Sequence, residues 1–175
     1  GTAMTASFFF STIRGKKKKE AVMAVPEKET ELTALIREYQ IRDDRIRYQI
    51  LKENRSIAEN SNAAMKMASG DFVGFLDHDD LLEPDALYEV ADKITQDGRV
   101  DVVYTDEDKI NSKGTRHLTP NMKPDFNLDL LRSNNYICHL FVVRRILIEK
   151  TGGFRKEFDG AQDYDFIFRC TEAAE

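Results

Sequence analysis

The chain has 175 residues, 41% of them hydrophobic, and a formal net charge of -5. That is enough for one compact domain with a sizeable core, and the acidic balance argues against a nucleic-acid partner, which calls for a basic face. Cys138 and Cys170 lie in separate apolar stretches without C-x-x-C spacing, so they read as two buried thiols in a reducing compartment and not as a disulfide framework or a zinc site.

Residues 1–25 stand apart as an atypical N-terminal segment, added or disordered, with Phe8-Phe9-Phe10 and the lysine run Lys16–Lys19. The lysines follow the apolar Ala6–Ile13 and do not precede it, the wrong order for a signal peptide. No apolar run approaches the roughly 18 residues of a spanning helix. A cytoplasmic location is expected, with peripheral attachment at the inner face of the membrane left open.

From Pro26 the pattern becomes regular. Pro26 is expected to open a helix, with Leu32, Leu35, Ile36 and Tyr39 on one face. Ile46, Tyr48 and Ile50 alternate with polar residues, which predicts a strand over 45–51. A helix over Ile57–Ala68 should stop at Gly70. Phe72–Leu76 is nearly all apolar and suits a central strand covered on both faces. Pro84 should open a third helix with Leu87, Val90, Ala91 and Ile94 inward, ended by Asp97-Gly98. Val100–Tyr104 and Ile137–Val143 read as strands, and Ile146–Lys150 and Asp163–Ala174 as helices. The alternation of strands and helices implies an α/β sheet with a parallel core, to which the less regular last third adds antiparallel strands.

Two strands run straight into acids: Leu76 into Asp77-His78-Asp79-Asp80, and Tyr104 towards Asp106-Glu107-Asp108. Ligands of open α/β sheets sit at the carboxyl ends of strands. Carboxylates packed this closely repel one another, and a divalent cation with free positions for diphosphate oxygens is a natural counter-charge. A solvated turn leading into the Pro84 helix is the plainer reading of the same residues.

With that acid run in place, the chain resembles family 2 glycosyltransferases of the GT-A fold, in the bacterial cell-surface polysaccharide branch that includes rhamnosyltransferases. The resemblance rests on Ala68-Ser69-Gly70-Asp71-Phe72, the Asp77–Asp80 run with Leu81-Leu82 and Pro84–Leu87, and Tyr104–Lys109. It continues through Asn135–Leu140, Gly152–Arg155 and Gly160–Asp165. It implies a GT-A-like α/β/α sandwich with a mixed, mainly parallel sheet over residues 26–175. It also implies an incomplete domain, because a first strand with a Pro-Val-Tyr-Asn-like loop and a second ending in Asp-Asp-Gly-Ser are not found in residues 1–25.

By resemblance, Asp77 and Asp79 hold Mn²⁺ or Mg²⁺ and the diphosphate end of a UDP- or dTDP-linked donor. Asn54 and Asn62 fall on the donor side, and turn or cap roles are equally open to them. His139 and Gln162 face a saccharide or lipid-linked acceptor, with His139 also readable as a core histidine. Asp163 inherits the role of general base in an inverting transfer, with Asp165 as competitor and helix capping as its ordinary role. Two other functions stay open. One is a truncated, non-catalytic domain. The other is a metal-dependent phosphohydrolase using Asp77 as nucleophile, against which the lack of Gly-Thr or Gly-Val after Asp79 speaks.

Overall fold

The structure, a computed structural model, describes residues 7–12, 19–28, 30–77 and 79–174. In chain order its elements are β1 (Ser7–Thr12), β2 (Glu20–Pro26), α1 (Thr30–Arg42), β3 (Ile46–Leu51), α2 (Ile57–Met65), β4 (Phe72–Leu76) and α3 (Ala86–Gln96). There follow β5 (Val102–Tyr104), β6 (Glu107–Ile110), β7 (His117–Asn121), α4 (Leu128–Ser133), β8 (Phe141–Arg144), α5 (Arg145–Thr151), a 3₁₀ turn (Lys156–Phe158) and α6 (Gln162–Ala173). Six strands form one sheet in the order β3-β2-β1-β4-β8-β5, and β6 and β7 pair as a separate hairpin.

β2, β4 and β8 bury both faces, and their alternation builds three layers. Val22 and Ala24 of β2, Val73 and Phe75 of β4, and Phe141 and Val143 of β8 share one core with α2, α4, α5 and α6. The residues between them face the other way. Phe72 and Val142 pack on Val90 and Ile94 of α3, and Met23 and Val25 pack on Ile36 of α1. Phe75, Phe154 and Phe166 meet edge to face with centroids 4.9 to 5.5 Å apart. This trio bolts the end of β4 to the first turns of α6. Burying an aromatic side chain of this size contributes about 2–3 kcal/mol.

Phe72–Leu76 is central, as its apolar run requires. The expected mainly parallel sheet is corrected in its pairing. Only β2 with β3 is parallel, whereas β1 pairs antiparallel with β2 and β4, and β8 antiparallel with β4 and β5. Four strands still share one direction, and β1 and β8 run against them.

The boundary expected at residue 26 corresponds to no break in the sheet, since β1 and β2 both lie before it. Residues 1–6 and 13–18, including Lys16–Lys18, lie outside the described residues. Pro26 closes β2, opposite Leu51, and does not open a helix. The preceding Ala21–Val25 run has apolar residues for both faces, and that burial sets the local structure. The strand expected over Ile137–Val143 is shorter. Residues 137–140 leave the ladder and form an irregular segment at its mouth.

Candidate functional site

The sheet brings the chemistry together at one end. The carboxyl ends of β4 and β5 and the start of β8 lie side by side, because β8 runs against both. Phe75 pairs with Phe141 at the end of the ladder; Asp77 follows Phe75 by two residues and His139 precedes Phe141 by two. Their side chains meet, with His139 Nε2 3.3 Å from Asp77 Oδ2. That hydrogen bond holds the imidazole above its ordinary value, against the opposing effect of burial. Burial raises the carboxyl of Asp80, with His139 offsetting part of the effect and Asp77 and Asp79 adding to it.

A cavity of about 210 Å³ opens beside this pair. Asp77, Cys138, His139, Gln162 and Asp163 supply its polar lining, and Phe75, Phe154 and Phe166 its apolar wall. Asp163 sits in the first turn of α6, where Ala161 takes the cap position without a side-chain bond. The carboxylate therefore is not a helix cap. Its Oδ2 accepts from Asn135 Nδ2 at 3.0 Å, and the Cys138 sulfur lies within 4.8 Å of a carboxylate oxygen. Burial first, and then the charge of Asp163, push that thiol far up, so it stays protonated. Gln162 Oε1 accepts from the backbone of Gly160 at 2.7 Å, where a φ of +96° makes glycine the fitting residue.

The competing carboxylate is committed elsewhere. Asp165 is 8% exposed and accepts from Arg155, and from Arg169 Nη2 at 2.8 Å. Arg169 also donates to the carbonyls of Thr151 and Gly153. Burial raises the Asp165 carboxyl, but the two guanidinium groups more than offset it and hold it below the usual range.

The asparagines expected near the donor do not line this cavity. Asn62 donates to the Phe154 carbonyl and accepts from the Phe154 amide, both at 2.8 Å. It clamps α2 to the loop after α5. Asn54 Oδ1 accepts from the fully buried Asn60 at 2.7 Å. Among the described residues, Asp77 and Asp80 gather with His139 at the end of β4. Their oxygens and a ring nitrogen of His139 lie within 4.8 Å of one another. Asp79 is exposed and outside that trio. Carboxylate and imidazole donors suit a divalent cation of the Mn²⁺ or Mg²⁺ type, so the donor set fits.

Sequence reading missed Lys123, which together with Glu107 holds the His139 segment. Lys123 has a side chain 1% exposed and donates to the carbonyls of Ile137 and His139 at 3.1 and 2.6 Å. It also pairs with Glu107 Oε2 at 3.3 Å. Glu107 in turn accepts from the His139 amide at 2.8 Å. Asp106 accepts from the Lys123 amide, and Asp108 pairs with His117, so the second acid run anchors the β6–β7 hairpin. A lysine between two prolines carries no sequence signal of burial.

A three-layer α/β domain with acids at the carboxyl end of its central strand is a GT-A-like architecture. The comparisons agree. The profile of glycosyl transferase family 2 matches residues 18–152, and the chain belongs to that family. It is 41% identical over 142 residues to the O-antigen biosynthesis protein RfbC of Myxococcus xanthus, covering 81% of this chain and 11% of that protein. It is 32% identical over 123 residues to a chondroitin synthase of Pasteurella multocida, covering 69% of this chain and 12% of that one. The crystal structure of Staphylococcus aureus TarS, residues 1–349, superposes with a TM-score of 0.63 at 22% identity. It covers 84% of this chain and 44% of TarS, and supports the GT-A-like fold. The chain thus spans a small part of these curated relatives. No helix among the described residues is long and apolar enough to cross a membrane.

Proposed function

We propose that this domain transfers a sugar from a UDP- or dTDP-linked donor to a saccharide or lipid-linked acceptor in cell-surface polysaccharide synthesis, by inversion at the anomeric carbon. The observation that carries the reading is a cavity lined by both Asp77 and Asp163. Asp77, with Asp80 and His139 beside it and Asp79 adjoining, would hold Mn²⁺ or Mg²⁺. That cation supplies Lewis-acid stabilisation of the leaving diphosphate.

The chain's own residues serve the incoming group. An acceptor hydroxyl forms its bond to the anomeric carbon as the bond to the diphosphate breaks, and its proton passes to Asp163. Asn135 fixes the orientation of that carboxylate. The wall of Phe75, Phe154 and Phe166 keeps bulk water from competing with the acceptor.

Calorimetry with UDP and dTDP, with and without Mn²⁺, tests the donor half. Nucleotide binding should require the cation and vanish in Asp77→Ala combined with Asp79→Ala. Equal binding by this double variant and the parent chain would refute the assignment. Asp80→Ala and Asp79→Ala taken singly then show which acid joins Asp77 at the cation.

A further inference from the structure

The geometry points to a second cation site in the same cavity, formed by Cys138, His139 and Asp163 and suited to Zn²⁺. The Cys138 sulfur, a ring nitrogen of His139 and a carboxylate oxygen of Asp163 all lie within 4.8 Å of one another. In a tetrahedral zinc site with bonds of about 2.0–2.3 Å, neighbouring ligand atoms stand roughly 3.3–3.8 Å apart. Rotamer adjustments on the order of an ångström or less close that difference. The donor set separates this site from the one at Asp77. Thiolate and imidazole are the softer ligands that select zinc, whereas carboxylates with a single histidine suit Mn²⁺ or Mg²⁺.

Three features make the trio a site and not a chance grouping. All three side chains are partly buried, and all three line one cavity. Asn135 already holds Asp163 Oδ2 by a 3.0 Å hydrogen bond, the kind of outer support that orients a ligating carboxylate. Three protein ligands beside an open cavity leave a fourth position for water or an acceptor oxygen. On binding, the Cys138 thiol gives up its proton, which leaves to solvent.

The consequence for catalysis rests on the reading of Asp163 as base. Zinc there occupies the Asp163 carboxylate and engages His139, which also belongs to the Asp77 group. Transfer is then silenced by a metal other than the one that supports it.

Co²⁺ added to the 175-residue chain, kept reduced without thiols, is the probe. A near-ultraviolet thiolate-to-cobalt absorption should grow to one equivalent and be bleached by Zn²⁺. Cys138→Ser and Cys138→Ala should both abolish it while keeping the parent melting temperature, and Asp163→Asn should weaken cobalt binding about tenfold or more. Cys170→Ser, at a thiol fully buried in the core, should leave the band in place. Absence of the band in the parent chain, or its survival in either Cys138 variant, overturns the proposal. The readout is independent of nucleotide, so failure of the donor titration would leave this site standing.

Discussion

Asp163 and Asp165 are two positions apart on α6, and their neighbours set them to different tasks. Asp163 faces the cavity with one oxygen held by Asn135. Asp165 is enclosed by Arg155 and Arg169. In a chain long enough to turn over donor, Asp163→Asn should leave nucleotide binding intact and lower transfer at least about a hundredfold, the scale of a lost general base. Asp165→Asn should act on stability, costing about 2 kcal/mol for hydrogen bonds to charged groups. The pH dependence follows from its lowered folded value. The stabilisation is present above the unfolded carboxyl value of about 3.9 and is lost as pH falls through the folded one. Urea midpoints for parent and variant should therefore differ at pH 7 and converge below about pH 4. A gap that persists at low pH would count against this ion-pair account.

Gly153 shows how one element is fastened to another. A Cβ built there would come within 2.1 Å of Asn62 Oδ1, the atom that accepts from Phe154. Gly153→Ala should thus break the α2 clamp and cost about 1–3 kcal/mol, the usual price of overpacking. Asn62→Ala should cost a similar amount, and the double variant less than the sum, since both remove one contact. Urea unfolding of the three variants checks this. The elements themselves were largely legible. The apolar patterns located β4, α3 and α6 to within a few residues. Of the residues the family resemblance singled out, Asp77, His139, Gln162 and Asp163 line one cavity, and Asn54 and Asn62 do not. The pairing of β1 and β8 was not legible, because strand direction depends on partners distant in sequence. Lys123 and Asn135 escaped notice as site residues because their roles arise only from tertiary contacts with Glu107, the His139 segment and Asp163.

The whole sheet depends on a strand the sequence seemed to leave outside it. β1 lies between β2 and β4 and pairs with both, from Ser7↔Ala24 on one side to Thr12↔Phe72 on the other. Removing residues 1–13 would leave two strand edges without their ladders, and such edges invite pairing between molecules. The shortened chain should lose its cooperative thermal transition and elute as aggregate in size-exclusion chromatography. A monomer with the parent melting temperature would show the strand to be dispensable. The hairpin of β6 and β7 has a different standing. Glu107 opens it and Lys123 follows it, and between them they grip the His139 peptide from both sides. A molecule seated on the hairpin would therefore be felt at the imidazole without touching it. The exchange of one backbone proton, the amide of His139, would time how often the two part company.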